Sequence, residues 1–197
     1  MKRALLLTTL VAACATSQAT ITIATFADPA SGSATPMFRY NATLGTIRAD
    51  WLTNGLTLEH PGFIGGGSTA DVKMRMNPLT LTAVIPGAVF TSNAGAINFW
   101  TTSEASPIFT ITFSSAVFTF PVSLGSADFQ ANNVAFSGPN VPSGLSQEQF
   151  GFSFANVVPT QSGNGYTMSS SFTSSAVPEP ASLAVLGLGL LAIRRKK

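Results

Sequence analysis

The feature that most limits what this chain can become is a two-residue rhythm. Phe109, Ile111 and Phe113 alternate with Thr110 and Thr112, and Phe150, Phe152 and Phe154 alternate with Gln149, Gly151 and Ser153. Val72, Met74 and Met76 alternate with Asp71, Lys73 and Arg75, and Leu79, Leu81 and Ala83 with Thr80 and Thr82. Residues two apart lie on one face of a strand, so each run predicts a strand with one buried and one solvated face. Convincing helical periodicity is absent from the body. Gly, Pro and Asn punctuate the runs, and Asn54–Gly55 is the pair that a tight type I′ hairpin prefers.

Many short strands without intervening helices predict an all-β domain over residues 20–172, an antiparallel β-sandwich or jelly roll with a Phe-rich core. A β-helix is the alternative, disfavoured because no fixed-period repeat occurs. Tyr166, Met168 and Phe172 suggest a last strand, and the Ser/Thr-rich residues 173–176 read as a polar spacer after it.

Composition excludes more than it assigns. With 45% hydrophobic residues the chain has enough apolar surface for a core. Only 9% of residues are charged, against about 25% in ordinary soluble domains. Six of the ten bases sit at the two ends, leaving Arg39, Arg48, Lys73 and Arg75 against seven acids between residues 20 and 177, a net charge of −3. Four scattered bases cannot neutralise several phosphates together, which argues against nucleic acid as a partner. One Cys excludes a disulfide framework, and one His excludes any site needing two imidazoles.

The ends read as addresses. Lys2 and Arg3, the apolar stretch Ala4–Ala13 and the small residues up to Ala19 form a signal peptide over residues 1–19, with cleavage after Ala19 and export through the Sec machinery. Val11–Cys14 also resembles a lipoprotein lipobox, so a lipid-anchored surface protein through Cys14 is an alternative. At the other end Val177, Pro178, Glu179 and Pro180 precede the apolar run 181–193 and then Arg194, Arg195, Lys196 and Lys197. Thirteen apolar residues make a helix of roughly 20 Å, short for a ~30 Å hydrocarbon core, so this transmembrane segment is a marginal permanent anchor. The four cations act as a membrane stop on the cytoplasmic side and leave the body outside the cytoplasm.

Over residues 177–197 the order of proline–glutamate–proline triplet, Leu/Gly-rich span and basic cluster resembles the PEP-CTERM sorting domain of Gram-negative bacteria. The resemblance implies handling by exosortase, a membrane-embedded cysteine protease-transpeptidase that would cut near the triplet. It also implies a transient inner-membrane intermediate and delivery to the outer envelope, cell surface or extracellular matrix, with a link to exopolysaccharide and biofilm. Pro178 and Pro180 suit a protease cleft, because they hold the segment extended and bias Val177 and Glu179 away from helix.

Little in the body points to catalysis. His60 lacks a GxSxG elbow or other nucleophile context. Zinc lacks ligands, and the only metal considered is a structural calcium drawing a carboxylate from Asp28, Asp71 or Asp128, so no cofactor is expected. Gly65–Gly67 lacks the lysine of a phosphate loop and reads as a plain loop. A secreted carbohydrate-active enzyme, the alternative function, would need two facing carboxylates, and Glu59, Glu104 and Glu148 have no privileged spacing. Sugar stacking is the more serious idea. If Ile97 and Phe99 face inward, Trp100 faces outward and becomes the first candidate for carbohydrate contact, with Trp51 next and Tyr40 and Tyr166 behind them. Packing is the commoner fate of such residues. The expectation is a non-catalytic structural or adhesive protein, its hydroxyl-bearing surface suited to neutral polysaccharide.

Overall fold

The computed structural model describes residues 19–29, 36–119 and 127–178. Among them are strands β1 (Ile21–Phe26), β2 (Phe38–Asn41), β3 (Thr46–Trp51), β4 (Leu58–Glu59), β5 (Ser68–Thr69), β6 (Lys73–Ile85) and β7 (Val89–Ser92). There follow β8 (Gly95–Trp100), β9 (Phe109–Phe113), β10 (Ser115–Thr119), β11 (Ala127–Asn132), β12 (Ala135–Ser137), β13 (Leu145–Pro159) and β14 (Gly165–Pro178). The all-β expectation is met, with every strand pair antiparallel. The sandwich is not. Strands β6, β7, β10, β11, β13, β14, β2 and β3 hydrogen-bond in a closed ring of eight, a β-barrel.

Closure comes from long strands that bend and change partners. β6 pairs with β8 through Lys73–Met76 and with β7 from Leu81 onward. Between these segments Asn77 and Pro78 stand opposite the single residue Arg48, a bulge that bends the strand where a proline needs no ladder partner. That bulge also explains why the alternation changes phase between Met76 and Leu79, so that one strand reads as two. β14 likewise pairs with β2 through Gly165–Met168 and with β1 through Phe172–Ala176. Its neighbour β13 carries an extra residue between Ala155 and Val158, where Asn156 takes φ 51°.

Two wings extend the ring. β8, β9 and β12 continue from the start of β6, and β1, β4 and β5 from the end of β14. They face one another as two layers, with Phe26 and Phe172 ring centroids 6.3 and 5.6 Å from Phe99. Short strands β12 and β5 form the outer edges, which limits the unpaired backbone they offer. Phe152, fully buried, links wing to barrel by contacting Phe26 and Phe172 on one side and Phe38 on the other.

The topology separates two ends. Hairpins β2–β3, β6–β7 and β13–β14 turn at one, the hairpin end. At the other Ile21 pairs with Ala176, so the chain enters and leaves the barrel side by side. The Asn54–Gly55 hairpin is not formed: β3 does not pair with β4, only Gly55 of the two has positive φ, and the segment is a corner tied to Asp71 Oδ1 by the Gly55 N–H.

Candidate functional site

The expected spacer at 173–176 is absent as a spacer. Those residues lie within β14, between β13 and β1, with Ser174 and Ala176 buried. At the β1 bulge Ser174 Oγ accepts from the Ala24 N–H at 3.0 Å and donates to the Ala24 carbonyl at 2.9 Å. Serine there meets backbone groups that a regular ladder would pair. Sequence reasoning takes it for a solvated residue because its partner stands 150 positions away.

The strand runs on into the sorting motif. Val177 is 4% exposed and pairs with Ser146, whose hydroxyl donates to the Val177 carbonyl at 3.2 Å, and Pro178 pairs with Leu145. Gln147, at φ 50°, makes the bulge that lets β13 follow β14 to this point. Ala19 is exposed, two residues ahead of β1. Glu179, Pro180, the apolar run and Arg194–Lys197 lie outside the described residues, as do Cys14 and the rest of the signal peptide. Among the described residues no helix is long and apolar enough to cross a membrane.

Residues 176–197 match the PEP-CTERM protein-sorting motif. The match covers the tail and begins inside β14, so the PEP-CTERM segment and the barrel overlap by Ala176, Val177 and Pro178. It marks the chain as an exported protein that passes through the membrane and is processed by exosortase. No curated protein and no solved structure shows a significant match to the chain.

Neither tryptophan offers a sugar platform. Trp51 is 5% exposed and belongs to the core, its Nε1–H buried without a partner among the described residues. The outward parity expected for Trp100 is correct and its expected exposure is not. It lies outside the core cluster yet is 7% exposed, with the Arg75 guanidinium 5.7 Å from the ring centroid, a cation–π contact. Arg75 is also ion-paired with Glu104 from the loop after β8. Tyr40 and Tyr166 pair across β2–β14, and Tyr40 packs on Phe90 and Phe118. Burial, with Tyr166 beside it, pushes the Tyr40 phenol above its ordinary range.

The remaining candidates are held in structural contacts. His60 stacks on Phe63 with centroids 4.6 Å apart, and its Nε2 lies 2.9 Å from Thr69 Oγ1. Gly65–Gly67 form the connection between β4 and β5. Asp50 takes Arg39 Nη1 on both oxygens at 3.0 Å, and Glu148 accepts the Phe136 N–H at 2.8 Å. Burial raises the Glu148 carboxyl pKa, while that N–H bond pulls it down. Asp28, Asp71 and Asp128 stand on separate segments, and among the described residues no three His, Cys, Asp or Glu side chains gather.

Alternation put Lys73 and Arg75 on a solvent face, as found, but did not show that Arg39 and Arg48 lie on the strands beside them. Arg39, Arg48, Lys73 and Arg75 all point outward from the neighbouring strands β2, β3 and β6. Arg39 stands directly opposite Arg48, and Asn41 opposite Thr46. The signal was present in Asn41–Gly45, a short turn whose Asn41 Oδ1 accepts the Leu44 N–H and whose Gly45 takes φ 58°. Recognising that hairpin pairs the two arginines.

Proposed function

We propose that this chain is an exported, non-catalytic structural or adhesive protein of the outer envelope or extracellular matrix, held against extracellular polysaccharide. The observation that carries the reading is the Ile21–Ala176 pairing. Because β1 begins where β14 ends, leader and sorting tail leave the barrel at one edge, and the whole body hangs on one side of the membrane. The hairpin end then points away from the bilayer and is free to meet a matrix while the tail is still attached. The non-catalytic part is supported by the acids: Asp50 and Glu104 are ion-paired, while Asp71 and Glu148 cap backbone N–H groups.

Intact-mass analysis of protein recovered from membranes and medium of a host that has exosortase tests the sorting half. The expected species begins at Thr20 and ends at or beyond Pro178, because Val177 is locked in β14. A lipidated Cys14 at the N-terminus would favour the lipoprotein alternative, and intact protein inside the cytoplasm would end the reading. Reducing-end release from a matrix polysaccharide incubated with the protein would replace the structural role with the enzyme alternative.

A further inference from the structure

Arg48 is the one base of the described residues without an ion-pair or hydrogen-bond partner there. Arg39 is neutralised by Asp50, Arg75 by Glu104, and Lys73 donates to Asn54. Like charges directly opposite on a sheet destabilise it. Asp50 removes that penalty for Arg39 and leaves the Arg48 charge uncompensated.

The surroundings of Arg48 are concave. A hollow of about 420 Å³ lies between β2–β3 and the β13–β14 turn, with Arg48, the Asp50-paired Arg39 and Thr46 on one side, Ser162 and Asn164 on the other, and a largely apolar floor that includes Leu44. Two features hold these walls together. The Asn77–Pro78 bulge turns Pro78 outward into the hollow beside Arg48. Gly165 brings the β13–β14 turn onto β2 so closely that any Cβ there would overlap the Tyr40 carbonyl. The Ala42 N–H bonds the Asn164 carbonyl at 2.8 Å and ties the two turns to each other.

We propose that this hollow binds an acidic sugar unit of a polysaccharide, its carboxylate on Arg48 and its hydroxyls on the surrounding amides and hydroxyls. The inference rests on the polysaccharide reading above and narrows it from neutral to acidic polymer. Guanidinium matches carboxylate in a planar two-bond geometry, and a single uncompensated cation calls for a single negative charge per unit. The volume falls in the usual range of small-molecule sites and leaves room beyond a lone inorganic anion. An anionic bilayer is disfavoured by position. Gly165 beside the hollow and Ala176 at the membrane-directed end are eleven residues apart on β14, roughly 35 Å along a strand.

The test is calorimetric titration of the full chain in nonionic detergent with trigalacturonate, a neutral trisaccharide and anionic lipid vesicles. The expected result is binding of trigalacturonate at least about tenfold tighter than the neutral sugar, a preference lost in Arg48→Gln and kept in Lys73→Gln. Circular dichroism checks that both variants fold, which their outward positions favour. Equal loss in Arg48→Gln and Lys73→Gln overturns the site in favour of diffuse charge, and binding of vesicles without trigalacturonate overturns it in favour of lipid. Neutral sugar binding that ignores Arg48→Gln overturns the site and leaves the polysaccharide reading standing. Binding to no sugar ends both.

Discussion

The two ends of the barrel are built on opposite terms. At the terminal end the strands are sealed: Ala24, Ala176 and Val177 are buried, and Ser174 stitches β14 to β1. At the hairpin end the strands outrun the core. Leu44, Val84, Ile85 and Val158 are all more than half exposed, and the uncompensated Arg48 stands nearby. At the terminal end strand pairing continues to Pro178, inside the sorting motif. At the hairpin end the turns enclose an irregular hollow in which Arg48, Thr46 and Asn164 stand beside the apolar Leu44 and Pro78. The contrast teaches that ladder pairing closes one end while turns shape the other.

Mutations can break this contrast or sharpen it. Phe152→Ala should abolish it, because Phe152 joins the aromatic clusters of both ends, and truncating such a buried ring costs about 3–5 kcal/mol. Chemical denaturation should show the whole domain losing stability in one transition. Gly165→Ala should strike the hairpin end first by about 2–3 kcal/mol, since the new methyl meets β2 backbone that cannot move aside. Amide exchange should then accelerate in β2 and the β13–β14 turn while β1 stays protected. Gly151→Ala is the control, with its nearest contact an ordinary 3.4 Å from the Phe129 carbonyl, and should change stability by less than about 0.5 kcal/mol.

Ser174→Ala does the reverse. Loss of its hydroxyl leaves the Ala24 N–H buried and unpaired, costing roughly 1–3 kcal/mol. Exchange and proteolysis should rise at β1 and the end of β14, with the Arg48 hollow unchanged. The smallest effect is a pH dependence. The folded state raises the Glu148 pKa, so it binds that proton more tightly than the unfolded chain does. The resulting stabilisation is full below the ordinary carboxylate pKa and is lost as pH rises through the raised value. Glu148→Gln keeps an acceptor for the Phe136 N–H, so its melting temperature should fall less than the parent's as pH rises through and above the ordinary carboxylate range.

What was legible from residues alone was local. Alternation placed β9, both halves of β6 and the Phe150–Phe154 part of β13, because side-chain period is a property of a few consecutive residues. The tail was legible because the machinery that reads it also reads a short linear segment. Where the reading failed, the deciding partner was remote. Residues 173–176 passed for a spacer because Ser and Thr are polar, although β13 and β1 flank them. Trp100 had the right parity and the wrong exposure, since Arg75 from another strand, ion-paired with Glu104, lies over its ring.

The sequence by itself determined that the protein is exported, carries a PEP-CTERM tail and folds from strands with one apolar face. Tertiary structure alone decided that those strands close into a barrel, that the sorting motif begins inside the last strand, and that the four bases from Arg39 to Arg75 share one face. Strand content comes from neighbours in the chain. Closure, burial and charge geometry come from register, which is fixed only when segments far apart in the chain bond to each other.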